Sequence, residues 1–165
     1  MNTENKSFTD KNIKDLWQTP RGLFHKLNEE FLFECDVAAS DKNHFCSNWI
    51  TEKTNALTCD WMGVNWCNHP YSDITPWIKK AIEQHKKGRT IVMLVPADTS
   101  VKWFKLAYDS CNKVRFISGR ISFINADTQK PVNGNNKGSV IFVWDGKYKT
   151  GQYHTVDLIN RADLV

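Results

Sequence analysis

At 165 residues, with 41% hydrophobic and 12% aromatic side chains, the chain is about one domain's worth and apolar enough to bury a core, which excludes general disorder. No apolar run approaches the roughly 18 residues a membrane span needs. The polar opening MNTENKSFTDKNIKD also lacks the apolar stretch of a secretion signal, so the expected compartment is the cytoplasm, and the formal charge of +4 admits an anionic partner without requiring one.

Residues 1–15 read as a flexible polar N-terminus and residues 16–165 as a single domain. TPRGLFHKLNEEF predicts a helix with Thr19 as N-cap, Pro20 at its first position, and Leu23, Phe24, Leu27 and Phe31 on one face. FLFECDVAA reads as a short buried strand ending at Asp36 and a pair of small residues, and GVNWC as another strand. Thr75 and Pro76 open a second helix with Trp77, Ile78, Ala81 and Ile82 at helical spacing, stopped by Gly88. Its outer face carries Lys79, Lys80, Lys86 and Lys87, which read as a solvated face. TIVMLVP has the unbroken apolar character of a strand covered on both sides. A helix from Val101 to Ser110 and the strands KVRFIS, RISFI and SVIFVW complete the set. Strands alternating with helices imply an open α/β sheet, mixed, with mainly antiparallel strands at its C-terminal side. NADTQKPVNGNNKG, from Asn125 to Gly138, is a polar loop long enough to carry function.

Five cysteines, an odd count with no C-x-x-C pair, argue against a disulfide framework and suit a reducing compartment. His44, Cys46, Cys59, Cys67 and His69 follow no usual zinc spacing, so no metal site is expected. Trp61, Trp66 and Trp77 read as core.

The stretch WCNHPYSDITPW carries the chemistry. In open α/β sheets ligands sit beyond the carboxyl ends of the strands, and Asn68 to Tyr71 follows such an end. An asparagine carbonyl and a backbone carbonyl held by a following proline can together accept both hydrogens of a planar exocyclic amine. Tyr71 offers a flat face for a base, worth roughly 1–3 kcal/mol in single-stranded nucleic-acid binders. An amine held in this way is oriented toward an electrophile with no acid, metal or covalent intermediate. Read without its neighbours, an Asn-x-Pro-Tyr at a strand end is a turn.

The neighbours decide. WQTP (Trp17 to Pro20), DVAAS (Asp36 to Ser40), NALTCDW (Asn55 to Trp61), WCNHPY, PWIKKA, MLVPADT with WF soon after, and RFISGRISF together resemble, in order, the blocks of the phage-type DNA N-6-adenine methyltransferases of the Dam-like group. The hallmark of that family is an Asn/Asp-Pro-Pro-Tyr tetrapeptide. The resemblance spans about Trp17 to Trp144 and implies a Rossmann-like methyltransferase sheet, S-adenosylmethionine as cofactor and DNA as partner.

Position by position, the resemblance makes Asn68, His69, Pro70 and Tyr71 the catalytic tetrapeptide, with the base extruded into their pocket. His69 departs from the family's first proline: it keeps the backbone carbonyl and loses the enforced rigidity, so reduced activity is expected. Trp17, Thr19, Pro20, Asp36, Ala38, Ala39, Ala56 and Leu57 are the implied donor-site residues, Asp36 by holding the ammonium or ribose hydroxyls and the alanines by letting the donor approach the backbone. The F-x-G-x-G turn of many larger methyltransferases is absent. Arg115, Arg120, Lys130 and Lys137 are the candidate nucleic-acid contacts, the last two from the polar loop. That loop is short for a recognition element, so modest sequence specificity, or specificity shared with a second copy in a homodimer, is expected, with affinity falling steeply as salt rises. Two alternatives stay open: a catalytically silent relative that binds nucleic acid or S-adenosylmethionine, and a methyltransferase acting on RNA or a small amine. Each position also has a structural reading, Asp36 as a cap and the arginines as ion-pairing residues.

Overall fold

The alternation resolves in chain order into β1 (Trp17–Gln18), α1 (Arg21–Phe31), β2 (Cys35–Ala39), β3 (Asn48–Thr51), β4 (Val64–Cys67), α2 (Thr75–Lys86), β5 (Thr90–Pro96), α3 (Lys102–Ser110), β6 (Lys113–Ser118), β7 (Ile124–Asn125), β8 (Ser139–Trp144), β9 (Thr155–Asn160) and a closing 3-10 turn, Arg161–Leu164. This is a computed structural model, and it describes residues 17–132 and 135–164, so the polar segment 1–15 lies outside the described residues.

Seven strands form one mixed sheet in the order β3-β2-β4-β5-β8-β6-β9, while β1 and β7 pair antiparallel as a separate two-stranded ribbon. A mostly parallel sheet with helices on both faces is compatible with a Rossmann-like α/β architecture. All seven main-sheet strands run in one direction except β8, which is antiparallel to both β5 and β6. The expected antiparallel C-terminal side therefore reduces to one reversed strand, because β9 returns parallel to β6.

Both faces of the sheet are covered, which is why β5 and β8 read as apolar runs. Ile91, Met93 and Val95 face one cluster with Ile78 and Ala81 of α2 and Phe104 and Ala107 of α3. Val92 and Leu94 face the opposite cluster with Leu23, Phe24 and Leu27 of α1, Phe123 and Leu164. Each such side chain contributes roughly 1.5–3 kcal/mol on burial.

Four local readings are corrected. Thr19 is not the cap of α1: Pro20 holds that position, and Thr19 is drawn inside, only 2% exposed. Asp36 is the second residue of β2 rather than its end. Lys80 is buried on α2 and ion-pairs with Glu83 at 3.0 Å, so it leaves the solvated lysine face. RISFI is not a strand of the main sheet, since the left-handed Gly119 (φ +98) turns the chain off β6 and only Ile124 continues into β7. Ile121 and Phe123 are buried nonetheless, as plugs in the α1-side cluster. The edge strands β3 and β9 were not foreseen; on β9, Val156 and Leu158 are exposed, Leu158 by 72%.

Candidate active site

The parallel registers Asp36↔Trp66 and Cys67↔Met93 bring the carboxyl ends of β2, β4 and β5 to one edge of the sheet. That edge gathers Ala38 and Ala39 from β2, the Asn68–Tyr71 turn that follows β4, and Ala97 and Asp98 after β5. The β1–β7 ribbon meets this edge through Trp17.

Asn68 is half-buried, and its Nδ2 donates to the Trp17 carbonyl at 3.4 Å. That contact fixes the amide's sense: the NH2 end faces Trp17, and Oδ1 is the end left to accept. His69 is 3% exposed, with its ring stacked on Trp77 at 5.5 Å and 20°. Its Nδ1 donates to the Pro70 carbonyl at 2.9 Å, since a carbonyl can only accept. The imidazole is thus tied beneath α2 at two points. Packing restrains this turn where a proline ring would otherwise do so.

Tyr71 is half-buried, and its hydroxyl donates to the Leu94 carbonyl at 3.4 Å. Its ring meets His69 at 5.7 Å and the edge of Phe123 at 6.0 Å and 89°. Burial holds the Tyr71 hydroxyl well above its ordinary pKa, so it stays a neutral donor.

Asp36 is buried, with Oδ2 accepting from the Phe45 N–H at 3.2 Å and Oδ1 from the Ala38 N–H at 3.4 Å. Burial outweighs these bonds and pushes its carboxyl up to about 6. The carboxylate thus folds the loop after β2 back against the strand. Thr19 Oγ1 and Trp17 Nε1 are buried polar atoms with no hydrogen-bond partner among the described residues. Pro20 is half-buried beside them in sequence. Ala56 is buried and its carbonyl accepts from Trp61 Nε1 at 2.9 Å, while the Leu57 N–H donates to Asn55 Oδ1 at 3.1 Å, so both belong to a folded connection between β3 and β4.

The four basic candidates separate. Arg115 lies within β6, makes a bidentate pair with Glu30 at 2.6 and 2.7 Å and sits over the Phe31 ring at 5.4 Å. Lys137 is ion-paired with Asp98 at 2.9 Å; the Ser100 hydroxyl first, then Lys137, hold the Asp98 carboxyl down to about 2. Arg120 and Lys130 are exposed. Lys130 belongs to a hairpin in which the Asn125 N–H donates to the Lys130 carbonyl at 2.9 Å and the Val132 N–H to the Phe123 carbonyl at 2.7 Å. Its tip, Asp127 to Lys130, is exposed, and Asn125 Oδ1 turns it by accepting from the Asp127 and Thr128 N–H groups.

Two residues at this edge escaped the sequence reading. Phe123 is buried between Trp17, stacked at 5.4 Å and 23°, and Tyr71. Its sequence signals were the alternation of RISFI and its place at the end of the RFISGRISF block, neither of which assigned it to the site. Asp98 stands in the MLVPADT block and anchors Lys137. Among the described residues no three His, Cys, Asp or Glu side chains gather as a metal site, and no helix is long and apolar enough to cross a membrane.

A family model described as DNA N-6-adenine-methyltransferase (Dam) matches residues 6–165. A DNA N-6-adenine-methyltransferase of Escherichia phage T1 is 39% identical over 150 residues, covering 79% of this chain and 63% of that protein. Another, from Haemophilus phage HP1 (strain HP1c1), is 38% identical over 151 residues, covering 88% of this chain and 87% of that protein. The chain thus spans a little under two thirds of the length of the first relative and most of the second.

Proposed function

The chain belongs to the DNA N-6-adenine-methyltransferase family, and on that premise we propose that it methylates the exocyclic amine of adenine in DNA with S-adenosylmethionine as donor. The observation that carries this reading is the Asn68 amide, turned by the Trp17 carbonyl so that Oδ1 is the accepting end, at the carboxyl end of β4. Asn68 Oδ1 and the His69 backbone carbonyl accept the two amine hydrogens and raise electron density on the nitrogen. Tyr71 lends its ring to the base, which has left the duplex because the amine is out of reach inside it. His69 supplies its carbonyl only, because its imidazole is committed to Trp77 and Pro70.

The residues at this edge fit the donor's chemistry. The buried hydroxyl of Thr19 and indole N–H of Trp17 have no partner among the described residues, and Ala38 and Ala39 present little side chain. Trp17, Thr19 and Pro20 would hold the donor from one side and Asp36, Ala38 and Ala39 from the other, with Asp36 accepting from its hydroxyls or ammonium. When bound, S-adenosylmethionine supplies a methyl group on a sulfonium centre. Arg120 and Lys130, exposed on neighbouring loops, meet phosphate, whereas Arg115 and Lys137 act through the ion pairs that hold β6 to α1 and the loop end to β5.

The test is direct. Unmodified DNA is incubated with the protein and labelled donor, digested to nucleosides, and the label in N-6-methyladenine compared for wild type, Asn68→Ala and His69→Pro. Label that disappears with Asn68→Ala is the expected result. Donor binding without transfer in the wild type identifies a silent relative, and transfer to RNA or a small amine alone moves the substrate.

A further inference from the structure

The hairpin Phe123–Val132 touches both ends of the tetrapeptide through a few contacts. Toward Asn68 the path runs through β1: Trp17 pairs with Asn125 and Gln18 with Ile124, and the Trp17 carbonyl receives the Asn68 amide. Gln129, within the hairpin tip, adds a side-chain bond from its Nε2 to Gln18 Oε1 at 3.2 Å. Toward Tyr71 the path is shorter: the Phe123 ring, stacked on Trp17, presents its neighbour Tyr71 with a perpendicular edge contact. One buried ring and one two-residue strand therefore connect an exposed, polar hairpin to the accepting amide and to the aromatic platform. Gln129 is held in the left-handed region (φ 55), a conformation that fixes where its side chain leaves the backbone.

We propose that this hairpin and β1 form a clamp on the tetrapeptide, with Phe123 as its positioning residue, and that the clamp sets the orientation of Asn68 and Tyr71. The inference rests on the methyltransferase reading for its kinetic consequence and on geometry alone for the coupling. Phe123 touches no reacting atom. It acts by keeping Trp17 and Tyr71 in place, and a misplacement of about 1 Å at an accepting carbonyl is enough to cost on the order of 100-fold in rate.

Two variants and two readouts test it. Phe123→Leu keeps the site filled and apolar while removing the ring; Gln129→Ala cuts the side-chain link to Gln18, together with the Nε2 bond to the Ala126 carbonyl at 2.7 Å, from an exposed position and leaves the core intact. In the 15N-labelled protein without DNA or donor, the Asn68 side-chain amide resonance, assigned by its loss in Asn68→Ala, is expected to move in both variants, more in the first. In steady state, Phe123→Leu is expected to lower kcat roughly 10- to 100-fold, by a larger factor than it weakens donor affinity or raises KM for DNA, and Gln129→Ala to lower kcat by a smaller factor in the same sense. An Asn68 resonance unmoved in both variants overturns the clamp, as does a kcat that falls only in step with melting temperature. Should Phe123→Leu fail to fold, Gln129→Ala decides. Should the wild type methylate no DNA, the functional reading fails by itself while the resonance still tests the coupling.

Discussion

Buried polar side chains gather at both edges of the sheet, and the two edges treat them differently. At the amino-end edge they are saturated. Asn65 accepts from the Met62 N–H and donates to the Met62 and Thr90 carbonyls. Gln84 accepts from the Trp61 N–H and Arg89 and donates to Asp60. Asn112 donates to the Lys149 and Gln152 carbonyls and accepts from the Asp145 N–H. At the carboxyl-end edge, Thr19 and Trp17 bury a hydroxyl and an indole N–H without partners among the described residues, Asn68 holds one bond at 3.4 Å, and Asp36 is pushed up to about 6. Buried polarity by itself therefore does not mark a site here. Buried polarity short of partners does, because a desolvated donor costs roughly 1–3 kcal/mol until something pairs with it.

The contrast sharpens most with exchanges at Asn68. Asn68→Ala is expected to lower kcat by about 100-fold or more while shifting the melting temperature little, checked by label transfer and a thermal melt. The pH dependence of Asp36 is the next largest effect. With its folded pKa raised to about 6, above the ordinary carboxylate value, the folded state holds a proton that the unfolded chain releases. Stability therefore falls as pH rises between about 4 and 6, by up to about 3 kcal/mol, and the cost is fully present above that window. Donor binding that uses the carboxylate runs the other way and strengthens as pH rises through about 6; Asp36→Asn is expected to flatten both profiles, read by chemical denaturation and donor titration.

At the saturated edge the outcome reverses. Gln84→Ala strands the Trp61 N–H and is expected to cost about 1–3 kcal/mol, a melting temperature several degrees lower, with kcat per folded molecule unchanged. Thr19→Val is the discriminating small change. Removing a buried hydroxyl that has no partner among the described residues is expected to raise stability by about 1 kcal/mol, or 2–4 °C, while weakening donor binding measured by calorimetry. A Thr19→Val protein that melts lower than wild type would break the comparison. The smallest expected effect is at Arg120 and Lys130: each change to Ala reduces the salt slope of DNA binding by about 0.9 and leaves melting untouched. Arg115→Ala is expected to do the opposite, since its guanidinium holds Glu30.

Much of this was legible before coordinates. β5 and β8 announced themselves because strands covered on both faces need no polar alternation, and α2 because Thr75, Pro76 and Gly88 punctuate it. The edge strands β3 and β9 stayed hidden because one uncovered flank lets polar residues in, so NWIT and TVDLIN carry little apolar signal. RISFI misled for a physical reason: its alternating Ile121 and Phe123 are buried against α1-side residues, which imitates a sheet pattern without any ladder. At the site, the tetrapeptide's location was readable from strand-then-turn chemistry. The state of Thr19 was not, since a local capping rule and tertiary burial compete for the same hydroxyl, and only the packing of β1 decides between them. The Trp17 carbonyl could not be anticipated either, because a backbone acceptor 51 residues away leaves no trace in residue types.

The position of β8 has a consequence for how the chain reaches this fold. It is wedged between β5 and β6, both synthesised before it, and all six of its residues are buried. Until residues 139–144 have emerged from the ribosome, β5 exposes an unpaired apolar edge and the β6 segment has no neighbour to join. The parallel β2-β4-β5 half can assemble early, but the sheet closes only by late insertion of its reversed strand, a long-range step of the kind that slows folding and keeps apolar strand surface exposed meanwhile.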